Sequence, residues 1–231
     1  MITKFVVPPL GGNRAHLNHR LPPARVATTN KTGMYDYRKW SREKQAAALK
    51  ERVAHGFPLH SPPHVLEPGA YRIITGACFE HKPILQSPAR LKWFEQQLLD
   101  HLQNQCLDVA AWVVLPNHYH ILVKIPDIKS FTKAQGQLHG RTSFAINKED
   151  NEQGRQVWFR CSDRVMRSER HYFTTLNYIH NNPVKHGYVE KWGDWAYSSY
   201  HWYLENKGRD WLVELWQEYP VLNYGDQWDV L

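Results

Sequence analysis

The chain has little cysteine and no long apolar stretch. Its 231 residues contain three cysteines, none of them in a CxxC pair, at Cys78, Cys106 and Cys161. Neither a disulfide framework nor a thiolate zinc site is therefore supported, and we expect reduced, packed thiols. The most apolar stretch, Val109–Val123, is broken by Pro116 and by polar residues. It falls short of the roughly 20 apolar residues that a membrane span needs.

Two further features are missing. No fixed period recurs along the chain, and the first residues show neither the apolar core nor the cleavage site of a secretory signal. We therefore expect a cytoplasmic protein that is not a repeat solenoid. The 10 Trp, 12 Tyr and 8 Phe give the chain more apolar surface to bury than a disordered chain has.

Positive charge is present in excess, and it is unevenly distributed. The net charge is +7; residues 1–66 carry 11 basic and 3 acidic residues, or +8, while residues 190–231 carry 3 and 8, or −5, which leaves +4 for residues 67–189. A basic arm followed by a mildly basic domain suits a polyanion such as nucleic acid. The alternative is a solvated arm that only aids solubility.

Proline and glycine content, together with the charge distribution, predicts three regions. Residues 1–66 are predicted to be a basic, largely irregular extension with one helix, Arg42–His55, capped by Ser41. Residues 67–189 are predicted to form the main domain. Residues 190–231 form an aromatic, acidic segment that we expect to pack on it. A second hypothesis is that this acidic segment covers the nucleic-acid site and restrains activity.

The order of predicted elements is β-α-β-β-α-β-α. It indicates an α+β sandwich with helices against a mainly antiparallel sheet. The predicted strands are Ala70–Phe79, Leu107–Leu115, His118–Ile125 and Gln156–Cys161, and the predicted helices are Pro88 to about Gln105, Ser130–Asn147 and Glu169 to about Asn182. The last helix begins after Ser168 as N-cap and is expected to stop before Pro183.

Two histidines lie on one predicted strand, in the segment Pro116-Asn-His-Tyr-His-Ile. Alternate side chains of a strand share a face, so His118 and His120 project together while Tyr119 turns into packing. Two imidazoles on an otherwise apolar strand form half of a divalent-metal site. The alternative is a histidine pair on a solvated sheet face.

A tyrosine and an amide lie on one face of the last predicted helix. Tyr178 and Asn182 are four residues apart, so both side chains can point at one site. Tyrosine is a poor nucleophile at neutral pH and needs a nearby cation to act as one. The alternative is a core aromatic next to a helix C-terminus.

Together these segments resemble the IS200-like HUH single-tyrosine transposases, and especially the REP-associated tyrosine transposases. The resemblance covers about Tyr71 to Tyr203. It rests on ordered motifs rather than on one: Pro116-Asn-His-Tyr-His, Val157-Trp158, Asp163-Arg-Val-Met-Arg-Ser168, Tyr178-Ile-His-Asn-Asn-Pro-Val-Lys185 and Trp195-Ala-Tyr-Ser-Ser199.

The resemblance implies a ferredoxin-like sandwich whose central antiparallel sheet carries the His pair on a central strand, with the tyrosine on a helix. It implies that Tyr178 is the nucleophile and that His118, His120 and Asn182 bind a divalent metal, Mg²⁺ or Mn²⁺. The implied activity is nicking and rejoining of single-stranded, REP-type hairpin DNA through a covalent 5′-phosphotyrosine, by a monomeric protein of the bacterial nucleoid.

DNA contacts are predicted from basic and aromatic residues that precede the tyrosine helix. Arg160, Arg164, Arg167 and Arg170 could meet phosphates, and Trp158 and Tyr172 could stack on bases. A solvated helix face with core aromatics is the alternative. The alternative function is a non-catalytic, regulatory hairpin-binding protein on the same fold; a larger replication initiator or relaxase is disfavoured by the single candidate tyrosine.

Overall fold

The computed structural model describes residues 41–44, 46–47, 50 and 69–225. In the first of these segments, Ser41 Oγ accepts a hydrogen bond from the Lys44 backbone N–H at 3.3 Å, and residues 42–44, 46–47 and 50 are helical. This agrees with the predicted N-cap and the start of the predicted helix. The rest of the predicted extension and the boundary near Glu67 lie outside the described residues.

Residues 69–225 belong to one compact unit with four strands and five α-helices. The strands are β1 (Ala70–Ala77), β2 (Asp108–Val114), β3 (His118–Ile125) and β4 (Ser162–Val165). The helices are α1 (Pro88–Asn104), α2 (Ile128–Asp150), α3 (Glu169–Lys185), α4 (Tyr200–Lys207) and α5 (Arg209–Glu218).

The four strands form one sheet in the order β2-β3-β1-β4, with each neighbouring pair antiparallel. Joined by α1 and α2, they make the β-α-β-β-α-β pattern of a ferredoxin-like domain. This confirms the predicted fold, with the His pair on central strand β3. Directly opposite residues share a face, so Thr75 of β1, His120 of β3 and Val113 of β2 point to the same side.

The two faces of the sheet have different roles. Tyr119, Ile121 and Val123 of β3 point to one face, where they pack with α1 and α2 into the hydrophobic core. His118 and His120 point to the opposite face, which α3 covers through contacts with β2 and β3. The histidine pair is thereby fixed to the sheet, and α3 lies over it.

Side-chain caps set the helix starts. Ser87 Oγ accepts from Arg90 N, with Pro88 at the first helical position, and Ser168 Oγ accepts from His171 N at 3.1 Å. The Ser168 cap was predicted. Helix α2 begins two residues earlier than predicted because the Asp127 carboxylate accepts from the first free N–H groups.

The predicted strand Gln156–Cys161 is wrong. Only Trp158 of that segment forms a bridge, with Cys78, and the fourth strand lies further on at β4. Two backbone hydrogen bonds, from Phe79 N to Val157 O and from Phe159 N to Ala77 O, join the segment to the end of β1, but they do not extend into a strand. The paired residues are polar instead: Asp163 of β4 forms a buried ion pair with Arg72 of β1, at 2.7 Å.

The predicted stop of the last helix before Pro183 is also wrong, because α3 continues to Lys185. Proline disfavours helical geometry in the residue before it, but here Asn182 and Pro183 are both buried. The turn after the proline is closed by His186 N donating to Asn182 O at 3.0 Å. Packing of the last turn therefore overrides the local preference.

The C-terminal segment packs on α3 through buried polar contacts. Asn177 Nδ2 donates to Leu215 O and Tyr219 O, and His180 Nε2 lies 2.9 Å from Ser199 Oγ. All three cysteines are free, but Cys106 is exposed, so the prediction that all three are packing residues is wrong for that one. None of the helices described has the length and apolar character to cross a bilayer.

Candidate active site

Backbone hydrogen bonds to the residues just before β3 hold the start of this strand, and with it the two histidines, in place. Cys78 N donates to Asn117 O at 2.7 Å and Leu85 N donates to Pro116 O at 2.8 Å. Both imidazoles are buried, His118 at 2% and His120 at 0% exposed, and their ring centroids are 4.9 Å apart. The sequence prediction that the two rings share one small volume is confirmed.

A second set of contacts holds each imidazole through its Nδ1 atom. His118 Nδ1 lies 2.7 Å from Asn117 Oδ1, and His120 Nδ1 lies 2.8 Å from Thr75 Oγ1. Partners at Nδ1 orient a histidine so that Nε2 is the atom presented to the site, as in metal centres.

Helix α3 places a tyrosine and an amide beside these rings. The Tyr178 ring centroid lies 5.3 Å from that of His120, and Asn182 Oδ1 lies 3.0 Å from His118 Nε2. Both α3 side chains are fully buried. The structure therefore brings together the four residues predicted from the sequence: His118, His120, Tyr178 and Asn182.

The tyrosine is covered by the end of the described chain. The Tyr224 ring lies 5.6 Å from the Tyr178 ring, and the Tyr224 hydroxyl makes a short hydrogen bond with Thr175 Oγ1. Gly225, at φ +78°, lies so close that an added Cβ would be 2.4 Å from Tyr178 Cε2. Burial raises the pKa of Tyr224 to about 12, although Thr175 and Arg164 act in the opposite direction.

Two further residues of the α3 C-terminus line the site. Lys185 Nζ lies 5.0 Å from the Tyr178 ring centroid and donates to Gly225 O at 2.8 Å. The half-buried His186 ring packs edge-on against His118, with centroids 5.0 Å apart. A cation and a third imidazole thus adjoin the tyrosine and the histidine pair.

The donor set fits a divalent ion. With Asn117 Oδ1 accepting a hydrogen bond from His118 Nδ1–H, the Nε2 lone pair of an imidazole with one N–H faces Asn182 Oδ1, which is also an acceptor. A cation between them removes that conflict. Their 3.0 Å separation also matches neighbouring ligands of an octahedral ion, about 3.0 Å apart for bonds of about 2.1 Å.

Among the described residues, no group of three or more His, Cys, Asp or Glu side chains is placed to hold a metal ion. A third protein ligand beside His118 and His120 would therefore be an amide oxygen, and Asn182 provides one. Mixed imidazole and amide donors suit Mn²⁺ or Mg²⁺.

The predicted DNA-contacting residues divide into two groups. Arg160, Arg164, Arg167 and Arg170 are all exposed. Arg164 and Arg167 lie near His171, where burial and then these two charges lower the pKa of that imidazole. Arg164 also shares the sheet face of the histidine pair, since it pairs with Ile73.

The prediction that Trp158 stacks on bases is wrong. Its side chain is 6% exposed, its Nε1 donates to Thr142 Oγ1 at 2.9 Å, and its ring stacks on His139 in the core. Tyr172, also 6% exposed, is equally unable to offer a face to a base.

Sequence reasoning missed several residues that shape this site. Thr75 could not be found, because only the β1–β3 register brings it to His120. Asn117 precedes His118 in the motif and Lys185 lies seven residues after Tyr178, so both had a positional signal. Tyr224 and Gly225 are distant in sequence and had none.

Comparison with known proteins identifies the region that carries this site. Residues 71–182 match the family "Transposase IS200 like". The chain is also similar to the REP-associated tyrosine transposase of Escherichia coli K12, with 27% identity over 57% of this chain and 80% of the relative. A putative REP-associated tyrosine transposase of Haemophilus influenzae is 31% identical over 41% of this chain and 59% of its own length.

A solved structure shares the fold. A REP-associated tyrosine transposase bound to a REP hairpin superposes with a TM-score of 0.51 at 20% identity, covering 63% of this chain and 86% of the other. The resemblance inferred from the sequence is thus confirmed, and the matched region includes all four residues of the candidate site.

Proposed function

We propose that the IS200-like transposase domain at residues 71–182 makes this chain a DNA-cleaving enzyme that nicks and rejoins single-stranded hairpin DNA, with Tyr178 as nucleophile. One observation carries the proposal: the Tyr178 ring lies 5.3 Å from His120 while Asn182, one turn later, contacts His118. A tyrosine beside a ready metal site is what nucleophilic attack by a phenol on a phosphodiester needs.

The proposed ion is Mg²⁺ or Mn²⁺, held by His118, His120 and Asn182. When bound there it supplies charge that polarises the scissile phosphate. The chain's own residues do the rest: Thr75 and Asn117 orient the two imidazoles, and Lys185 places a positive charge beside the tyrosine ring. That charge stabilises negative charge developing on the phosphoryl oxygens.

In the proposed step, the Tyr178 Oη forms a bond to phosphorus and the bond from phosphorus to the 3′ oxygen breaks. The phenol loses a proton and the released 3′ oxygen gains one. The product is a 5′-phosphotyrosine and a free 3′-OH. Because the ester keeps the energy of the broken bond, rejoining is the reverse reaction and no ATP is consumed.

The proposed substrate is a REP-type hairpin with a single-stranded foot, bound by a monomer. Support comes from the relatives: two are described as REP-associated tyrosine transposases, and one solved relative holds a REP hairpin. The proposed phosphate contacts are four exposed arginines, Arg160, Arg164, Arg167 and Arg170. In the sequence they lie before Tyr178, just ahead of its helix or in the first turn of that helix.

The test incubates the protein with labelled hairpin oligonucleotides and Mn²⁺ or Mg²⁺ and resolves the products on a denaturing gel. We expect a slow-migrating covalent adduct with the unaltered chain and a loss of at least about a thousandfold in Tyr178→Phe, which lacks the nucleophilic oxygen. Tyr172→Phe, another buried tyrosine of α3, is the matched control and should keep the adduct. An adduct in Tyr178→Phe would refute the assignment.

A second candidate is a regulatory hairpin-binding protein without cleavage. The full burial of Tyr178 beneath Tyr224 and Gly225 favours it, because a covered phenol cannot reach a phosphate. Hairpin binding without an adduct in either ion, also after removal of that cover, would establish this alternative.

A further inference from the structure

A line of aromatic rings runs from the candidate site toward the surface. The His186 ring packs on His118, and Tyr188 follows at 6.3 Å from His186, between centroids. Trp195 lies 5.5 Å from Tyr188, and Tyr197 lies 5.5 Å from Trp195. We call the four rings of His186, Tyr188, Trp195 and Tyr197 the ring track.

The ring track is anchored to the sheet rather than to a loose tail. Trp195 Nε1 donates to Val114 O at 3.0 Å, and Val114 N donates to Tyr197 O at 2.9 Å. Tyr197 Oη also donates to Pro88 O, at the start of α1. Because these bonds fix the rings before any ligand arrives, binding to them costs little ordering entropy.

The ring track is open to solvent where the core aromatics are not. Tyr188 is 39% exposed, one of five large apolar side chains exposed among the described residues, and Trp195 and Tyr197 are partly exposed. The planes of Tyr188 and its neighbours His186 and Trp195 differ by 37° and 32°. A base that stacked on the exposed part of Tyr188 would have its plane near those of the adjoining rings.

Resting on the proposed function, we propose that the ring track binds the single strand beside the cleaved phosphate by stacking its bases. Aromatic side chains that adjoin a nuclease site accept bases of any sequence, since each base has a π face. The ring track begins at His186, which packs against the candidate metal ligand His118, so the bases on it are those next to the reacting phosphate.

The ring track has no excess of positive charge that would attract phosphates. Between Tyr188 and Trp195 the chain carries one basic residue, Lys191, against Glu190 and Asp194. Stacking is little affected by salt, whereas phosphate contacts release counterions. Loss of a ring should therefore weaken binding by the same factor at low and high salt, whereas loss of Arg164 should change the salt slope.

The test compares two variants at one position, Tyr188→Leu and Tyr188→Phe. The phenylalanine keeps the ring, and the leucine keeps apolar bulk without a π face. Binding is measured for a hairpin with a single-stranded foot and for the same hairpin with a blunt end, at two salt concentrations. Phe144→Leu removes a ring that is 72% exposed on α2, against the opposite face of the sheet, and is the control.

We expect Tyr188→Leu to weaken binding of the footed hairpin about tenfold at both salt concentrations and to leave the blunt hairpin unchanged. Tyr188→Phe and Phe144→Leu should bind both hairpins like the unaltered chain. Unchanged binding in Tyr188→Leu, or an equal loss of binding with the blunt hairpin, would overturn the proposal that the ring track binds the single strand. Adduct formation at Tyr178 would in that case still support the proposed function. If the unaltered chain neither binds a hairpin nor forms an adduct, both proposals fall.

Discussion

Thr75 tests the metal proposal at the scale of one residue. Thr75 lies on β1, next to β3, and its Oγ1 is 2.8 Å from His120 Nδ1. Partners of this kind change metal affinity by about 10- to 100-fold. We therefore expect Thr75→Val, which keeps the shape, to weaken Mn²⁺ binding by that factor in a calorimetric titration of the full chain.

Thr75→Ser is the matched control for that measurement. It retains the hydroxyl and should bind Mn²⁺ within about threefold of the unaltered chain. If the valine variant binds Mn²⁺ as well as the serine variant does, His120 is not oriented through its Nδ1 atom and the proposed ligand set needs revision.

Individual residues were predictable where period and spacing carry the information. His118 and His120 could be assigned to one face by the two-residue period of a strand, and Tyr178 and Asn182 by the four-residue period of a helix. Trp158 could not be assigned in this way. The same local sequence is compatible with an aromatic residue that stacks on a base and with one that packs in the core. Burial decides between these, and burial depends on the whole fold.

At the scale of an element, the segment Val221–Gly225 covers Tyr178, the proposed nucleophile. Tyr178 is fully buried beneath Tyr224 and Gly225, and a phenol must come within bonding reach of a phosphorus atom. Two hydrogen bonds hold the segment down, from Lys185 to Gly225 and between Thr175 and Tyr224. The segment therefore has to move before the proposed reaction.

Removing residues 222–231 should speed formation of the covalent adduct. Each of the two hydrogen bonds is worth about 1 kcal/mol, so the single-turnover rate should rise by up to about thirtyfold. The measurement is the time course of adduct formation with enzyme in excess. The full-length variant Leu222→Ala changes a side chain that is 79% exposed and should keep the original rate.

An unchanged or lower rate in the truncated chain would show that the segment does not restrain the tyrosine. The sequence-based hypothesis concerns the whole acidic segment, residues 190–231, and this truncation tests only its last ten residues. A thermal melt of both chains belongs to the comparison, because the truncation leaves the buried anchors Tyr219 and Val221 in place and we expect it to fold.

Elements were predicted well where one signal dominated. Side-chain caps and the apolar period located α1 and the start of α3, and the apolar period located α2 to within a few residues. Apolar and β-branched runs bounded by turn residues located β1, β2 and β3. The fourth strand was misplaced because β4 reads Ser-Asp-Arg-Val, which is polar. Its place in the sheet depends on pairing with β1 and on the buried Arg72–Asp163 ion pair, neither of which a local pattern contains.

At the scale of the whole molecule, the sheet separates two buried polar regions. The site face holds the candidate metal ligands. The core face holds a cluster around Tyr119, whose hydroxyl lies 2.9 Å from His139 Nε2 and accepts from Gln135 Nε2 at 2.5 Å. Burial lowers the pKa of His139 to about 4, with a smaller effect from His101. His139 is therefore neutral in the folded state near neutral pH.

This partly buried histidine makes the stability of the fold depend on pH. In the unfolded chain the pKa of His139 is near 6.5, whereas in the folded chain it is about 4. Between these two pH values His139 is protonated mainly in the unfolded state. The free energy of unfolding should thus fall with decreasing pH between about 6.5 and 4. His139 alone contributes about 2 kcal/mol of loss between pH 7 and pH 5.

Urea unfolding of the full chain at pH 7 and pH 5, compared with His139→Gln, measures this contribution. Glutamine does not titrate, so the variant is expected to be less stable at pH 7 but to lose about 2 kcal/mol less than the unaltered chain on acidification. Phe144→Leu changes an exposed side chain of the same helix that does not titrate, and it should keep the original pH dependence. If His139→Gln and the unaltered chain lose the same free energy between pH 7 and pH 5, the buried cluster does not exclude the proton, and the core face must open to water in the folded state.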